Sequence, residues 1–182
     1  MRAAVTALLL TSACVTAPRP TPQGPEFVLR LAPASFGGEL STAQRITMVR
    51  DGDRKSFDAL LEVDADAVRV ALLGAGQTLG TLTWDGRDFT RKVSVFVPEA
   101  VTAERIITDV ELCFWPEGPL RSALPAGYSL EEAAGVRNVR RDGQPFVTVT
   151  SSEGRKRVVL TQHVFHYALE IDSTDPVGAP TP

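Results

Sequence analysis

His163 and His166 are the chain's two histidines, three positions apart. Metal ligands on a strand want a spacing of two, which puts both on one face. A spacing of three on a strand sends the rings to opposite faces and builds no metal site. Asp64 and Asp66 have the spacing for one face, where paired carboxylates do acid–base chemistry. They fall at a turn beside Asp58 and Glu62, however, and read as solvated loop acids. Cys113 lies on the apolar face of a helical pattern, where a thiol is inert packing. There is no Gly-x-Ser-x-Gly elbow, phosphate loop or dinucleotide fingerprint. No catalytic residue, metal ligand or cofactor is therefore expected, and the chain does not read as an enzyme.

Cys14 offers different chemistry. Met1 and Arg2 form a minimal positive region, Ala3 to Leu10 an apolar stretch, and Ser12 and Ala13 are small residues preceding the cysteine. The eleven residues between Arg2 and Cys14 span ~17 Å as a helix, about half of a bilayer's hydrocarbon thickness. A cleaved export signal fits such a segment better than a transmembrane anchor. Leu10-Thr11-Ser12-Ala13-Cys14 is similar to a bacterial lipobox, in which the thiol receives diacylglycerol and the cysteine becomes the mature first residue. Thr11 stands where leucine is usual. Residues 1–13 are thus expected to be a signal peptide and Cys14 the lipid-attachment site. Removing 13 of 182 residues leaves 169, enough for one domain, with 18 basic and 22 acidic side chains and a net charge of −4. That mild acidity excludes nucleic acid as a partner. Cys113 is then the lone free thiol and forms no intrachain disulfide.

The elements that carry these residues follow from turns and periodicity. Residues 14–26 hold Pro18, Pro20, Pro22 and Pro25 and read as an extended tether. Residues 172–182 read as a disordered tail, leaving a domain over 27–171. Strand patterns cover Phe27–Leu31, Gln44–Arg50, Ser56–Asp64, Val68–Leu73, Thr78–Trp84 and Phe89–Val97. They resume at Val136–Arg141, Phe146–Ser151, Val158–Gln162 and Phe165–Ile171. Asp51-Gly52, Asp85-Gly86 and Asp142-Gly143 join neighbouring runs as hairpin turns, which makes a meander. Val68–Leu73 and Val93–Val97 are apolar on both faces, as in a strongly curved sheet with something in its concavity. The candidate is a helix from Glu99 to Phe114. Its apolar stripe is Ala103, Ile106, Ile107, Val110, Cys113 and Phe114, with Glu104, Arg105, Thr108, Asp109 and Glu111 covering the rest. Pro116 stops it, and a second short helix fits Pro119 to Leu124. The fold class expected is mainly β with a helical insertion: an open antiparallel β-barrel covered by one or two helices.

Three segments carry a resemblance: Leu82-Thr83-Trp84-Asp85-Gly86, then Asp109 to Pro116 with its Phe114-Trp115-Pro116, then Leu120-Arg121-Ser122-Ala123-Leu124-Pro125. Together with the closing Tyr167-Ala168-Leu169-Glu170-Ile171, they resemble the bacterial lipoproteins catalogued as domain of unknown function 3261. That family is similar in expected fold to the outer-membrane lipoprotein receptor LolB and its periplasmic carrier LolA, open barrels whose helices lie over an apolar, acyl-accepting cavity. The resemblance implies this fold and makes acyl binding attractive. Trp84, Ile106, Ile107, Val110, Phe114 and Trp115 are then the candidate cavity residues, although the same spacings suit a filled core. Two functions stay open. One is a lipid-anchored, non-enzymatic carrier of an acyl chain, lipid or lipoprotein. The other is a structural or assembly lipoprotein acting through protein contacts.

Arg137, Arg140, Arg141, Arg155, Lys156 and Arg157 make a locally basic stretch. It falls on turns at opposite ends of a strand and reads as solvated rather than as a patch for anionic lipid. Val15 and Thr16 follow the cysteine with no Asp, so the expected location is the cell envelope, on the outer membrane facing the periplasm. Cys14→Ser is expected to accumulate unprocessed precursor and to lose labelling by a fatty-acid probe; maturation and labelling like wild type would exclude lipidation at this residue.

Overall fold

Local turn chemistry sets the path of the sheet. The computed structural model describes residues 27–74, 77–93 and 102–174; the signal peptide, Cys14 and most of the tail lie outside them. Strands β1 (Leu40–Arg50), β2 (Asp53–Val63), β3 (Val68–Gly74), β4 (Gln77–Trp84) and β5 (Phe89–Val93) precede helices α1 (Ala103–Phe114) and α2 (Glu117–Ala123). Strands β6 (Tyr128–Ala133), β7 (Val136–Arg141), β8 (Gln144–Ser151), β9 (Arg157–Gln162) and β10 (Tyr167–Ser173) follow. Both residues of Asp51-Gly52 and of Asp142-Gly143 take positive φ, the geometry that matches strand twist in a two-residue hairpin. Ala134-Gly135 does the same, and a Cβ on Gly135 would sit 2.8 Å from the Ser151 carbonyl oxygen. Asp85 Oδ1 accepts from the N–H groups of Arg87 and Asp88, closing the β4–β5 turn.

The strands form one antiparallel sheet in the order β5-β4-β3-β2-β1-β10-β9-β8-β7-β6. The one long crossover, through the two helices, carries the chain from the β5 edge to the β6 edge. The sheet is open, with two helices, as the fold class requires. Pairing of β1 with β10, for example Ile46 with Ile171, joins the two halves. Its register puts Leu61, Val70, Leu82, Leu130, Val139, Val149, Leu160 and Ile171 on one inner face, all buried in a single core.

Several expectations are corrected here. The outer face of β3 is not a second buried surface: Arg69 is exposed, and Ala71 and Leu73 are half-buried. Leu60, which breaks the alternation of β2, points outward between Ala43 and Ala71 and stays 43% exposed. Phe27–Leu31 is extended and buries Phe27, Leu29 and Leu31, yet it joins no sheet. A strand needs a ladder, and this segment takes its partners from side chains. Tyr128–Ala133 is instead a strand, missed because Glu131, Glu132 and Ala133 favour helix over sheet. Strand β10 runs to Ser173, and the Thr174 N–H donates to Ala43 O at 2.9 Å, so the ordered chain passes the expected end at 171. The part of the expected Phe89–Val97 strand beyond Val93, and the expected helix start at Glu99, fall outside the described residues. α1 begins after Thr102, whose Oγ1 accepts from the Arg105 N–H at 3.2 Å.

No residue of α1 is exposed. Thr108, Asp109 and Glu111, expected to face water, are buried: the segment before β1 covers Thr108 and Glu111, while Asp109 turns to Gln162 of β9 and Tyr167 of β10. A buried C-terminus leaves carbonyls needing donors, and the expected solvated basic turns supply them. Arg137 donates to Leu112 O at 2.5 Å and Trp115 O at 2.8 Å. Arg155 donates to Phe114 O at 2.6 Å and Cys113 O at 3.3 Å. Glu132 balances both guanidiniums, at 2.7 Å from Arg137 and 3.8 Å from Arg155. Two cations at this end also complement the negative end of the helix macrodipole. Arg137→Met should strand two buried carbonyls, lowering the unfolding free energy by about 2–4 kcal/mol, read as a fall in urea midpoint; a change near zero would show that the clamp contributes nothing.

Candidate functional site

The six candidate cavity residues stand at the end of β4 and along α1 as far as its C-cap. Trp84 is buried, stacks on Phe89 with centroids 4.4 Å apart, and donates Nε1–H to Leu31 O at 2.8 Å. Trp115 is buried at the far end of α1, donates to Ser35 Oγ at 2.9 Å, and meets Phe36 edge-on at 5.1 Å. Both tryptophans therefore hold the N-terminal segment. Ile107 and Phe114 are buried in the core, whereas Ile106 and Val110 are half-buried. Of the six, Ile106 lines the cavity between α1 and β3–β4.

That cavity measures about 20 Å³, room for about one water molecule. Val70, Leu72 and Leu82 form its floor, and Ala103 and Ile106 of α1 form its roof. Gly80, opposite Leu72 on the inner face, contributes no side chain there, which leaves the space. Thr81 and Arg91, both exposed, complete the lining. Arg91 pairs across β4–β5 with Leu82, so it stands on the same inner face as that buried leucine. Sequence reading missed Val70, Leu72, Gly80, Leu82 and Arg91. The signal was present in the period-two spacing of Phe89 and Arg91, which places Arg91 on the face that Phe89 buries.

The remaining polar groups of α1 hold elements together. Leu29 N–H donates to Thr108 Oγ1 at 3.0 Å and Leu31 N–H to Glu111 Oε1 at 2.9 Å. Burial pushes the Glu111 carboxyl up to about 8, against the opposing hydrogen bond from Leu31, and its Oε2 has no partner among the described residues. Asp109 accepts from Gln162 at 3.1 Å and from the Tyr167 hydroxyl at 2.5 Å. Its carboxyl is raised to about 6, chiefly by burial, with the Tyr167 bond and the Arg105 charge opposing. The Arg105 guanidinium lies 3.9 Å from the Phe165 ring centroid. Cys113 is buried, and burial drives its thiol far above the ordinary range.

The other chemical candidates occupy turns. Asp64 Oδ1 accepts from the N–H groups of Asp66 and Ala67, and Oδ2 from Arg69, which holds the carboxyl down at about 2. His163 and His166 lie in the β9–β10 turn rather than on a strand, with His163 Nε2 3.0 Å from Thr148 Oγ1.

A family model described as protein of unknown function (DUF3261) matches residues 41–175. The match takes in both helices and all of the sheet but its first residue, Leu40, while Phe27–Leu31 precedes it. No curated protein matches the chain.

Glu111 generates a pH prediction. Its carboxyl binds a proton in the folded state up to about 8, and the unfolded chain releases it near 4.5. Between these values the native state holds the extra proton, so stability falls as pH rises, by up to about 1.4 kcal/mol per unit. Asp109 adds the same trend between 3.8 and about 6. Glu111→Gln should flatten the decline in urea midpoint from pH 6 to 8; parallel curves for variant and wild type would refute the buried protonated acid.

Proposed function

The chain belongs to the family of proteins of unknown function DUF3261, and from that premise we propose that it is a lipid-anchored envelope lipoprotein that shelters an acyl chain between its sheet and helix α1. Lipid on Cys14 holds it to the membrane, by our reading the outer membrane on its periplasmic side. The open antiparallel sheet with a helix on its inner face supports the half-barrel architecture of LolA and LolB. The binding performs no bond chemistry: the buried carboxylates and guanidiniums of the described core already bond to backbone or side-chain partners that position α1 and the N-terminal segment.

One observation carries the reading, the apolar cavity under Ile106. It lies at the end of α1 away from the Arg137–Arg155 clamp. The helix is asymmetrically held: four carbonyls at its C-terminus are tied down, while Ile106 near its N-terminus is half-buried. A pivot about the clamped end lifts Ile106 from Leu82 and widens the space along β3 and β4. Each methylene then buried contributes ~0.8 kcal/mol, which supplies the driving force for taking a chain from water. The ligand is an acyl chain, free or carried by a lipid or lipoprotein.

A second reading has its own support. At about 20 Å³ the closed cavity holds no acyl chain, as suits a filled structural or assembly lipoprotein working through protein contacts.

Val110→Glu separates the two. The full chain carrying Cys14→Ser, which is free of its own acyl groups, is assayed for uptake of a fluorescent fatty acid and for thermal unfolding. For the carrier, wild-type Val110 supports uptake and Val110→Glu loses it, with the melting temperature lowered by less than about 4 °C, or roughly 1 kcal/mol. Global unfolding of the variant favours the filled domain, and absence of uptake by the parent removes the carrier reading.

A further inference from the structure

We propose that the cavity beside β5 selects a single-chain carboxylate amphiphile, a fatty acid whose headgroup is held by Arg91 while its chain runs inward over Leu82 beneath Ile106. This rests on the acyl-binding reading and adds the class of headgroup and the residue that recognises it.

The argument begins with register. Leu82 stands opposite Arg91, and Trp84 opposite Phe89. Arg91 therefore shares the inner face with a buried leucine and a half-buried aromatic ring. On the outer face, arginines are neutralised: Arg45 by Asp58 at 2.9 Å, Arg54 by Glu170 at 2.8 Å and Arg69 by Asp64 at 2.5 Å. Arg91 has no ion-pair or hydrogen-bond partner among the described residues. A cation turned toward apolar lining without a counterion is a charge that an anion at the cavity mouth would complete. The guanidinium fork matches a carboxylate with two parallel N–H···O bonds. Gly80 leaves the inner face open directly next to this headgroup position, and Val70 and Leu72 continue the apolar floor. Headgroup and chain sites are thus contiguous, with the charged end at the sheet edge and solvent, and the apolar end under the helix.

An inward charge on an edge strand has another use, which is to discourage pairing with other sheets. That role involves no ligand and predicts no effect of Arg91 on binding, so the test distinguishes them. The full chain carrying Cys14→Ser is titrated calorimetrically with dodecanoate and with dodecanol, which share the chain and differ in charge. The parent should bind dodecanoate about tenfold tighter than dodecanol, the size of one charge-assisted hydrogen bond. Arg91→Gln should bring dodecanoate down to the dodecanol level, leave dodecanol affinity and melting temperature unchanged, and Arg91→Lys should restore part of the preference. Ile106→Trp should abolish binding of both ligands in a folded protein. If Arg91→Gln leaves dodecanoate binding intact, the headgroup assignment is overturned while acyl binding stands. Unaltered binding in Ile106→Trp places the ligand elsewhere and overturns the site. If the parent binds neither ligand, the acyl-binding reading itself fails and this inference falls with it.

Discussion

Helix α1 has no exposed residue, and the polar groups it carries into the interior depend on partners from other elements. Its C-terminal carbonyls are met by two guanidiniums from β7 and the turn after β8. Thr108 and Glu111 are met by the backbone of residues 29 and 31, and Asp109 by Gln162 and Tyr167. The same bonds fix the surroundings of the helix. The N-terminal segment lies over the helix because Thr108 and Glu111 take the place of a neighbouring strand. Breaking one contact leaves a buried group unsatisfied, at a cost greater than the net contribution of the bond itself.

This arrangement gives the segment before β1 an unusual role. Phe27 packs on Tyr128 and Phe146, with centroids 4.8 and 5.0 Å apart, on the β6 side. Arg30 lies 5.7 Å from the Phe89 ring on the β5 side, and Leu31 O accepts from Trp84. Residues 27–31 therefore bridge elements near the two edges of the open sheet, where an eleventh strand would have closed it. A bridge made of three side-chain hydrogen bonds and alternate apolar side chains leaves both edges without a ladder.

Energetics inside the fold are uneven along α1. Its C-terminal half carries the arginine clamp, Cys113 and Phe114 in the core, and Trp115 against Phe36. Its N-terminal half buries Ala103 and Ile107 and keeps Ile106 half-buried beside a sheet that lacks a side chain at Gly80. The buried acids add a dependence on pH, since both Asp109 and Glu111 are raised by desolvation.

Much of the fold was legible because it is local. Asp51-Gly52 and Asp142-Gly143 specify hairpins within two residues, and the alternation of Ala59, Leu61 and Val63 specifies an inner face within five. The stripe of α1 and its stop at Pro116 are equally short-range. The errors share the opposite property. Phe27–Leu31 has a strand's alternation, but its hydrogen-bond partners lie 79 and 80 residues away on a helix, so pattern alone could not distinguish a strand from a bridge. Thr108, Asp109 and Glu111 read as a wet face because what covers them is distant in sequence. Arg137 and Arg155 read as solvated turns because the carbonyls they serve belong to another element, and Arg91 gained significance through its register with Leu82. Sequence by itself determined the hairpins, the inner face and the helix, since turn geometry and side-chain period act over a few residues. Tertiary structure alone decided what the helix's polar face, the arginines and the first extended segment do, since a buried polar group takes its role from whichever distant partner desolvates and bonds it.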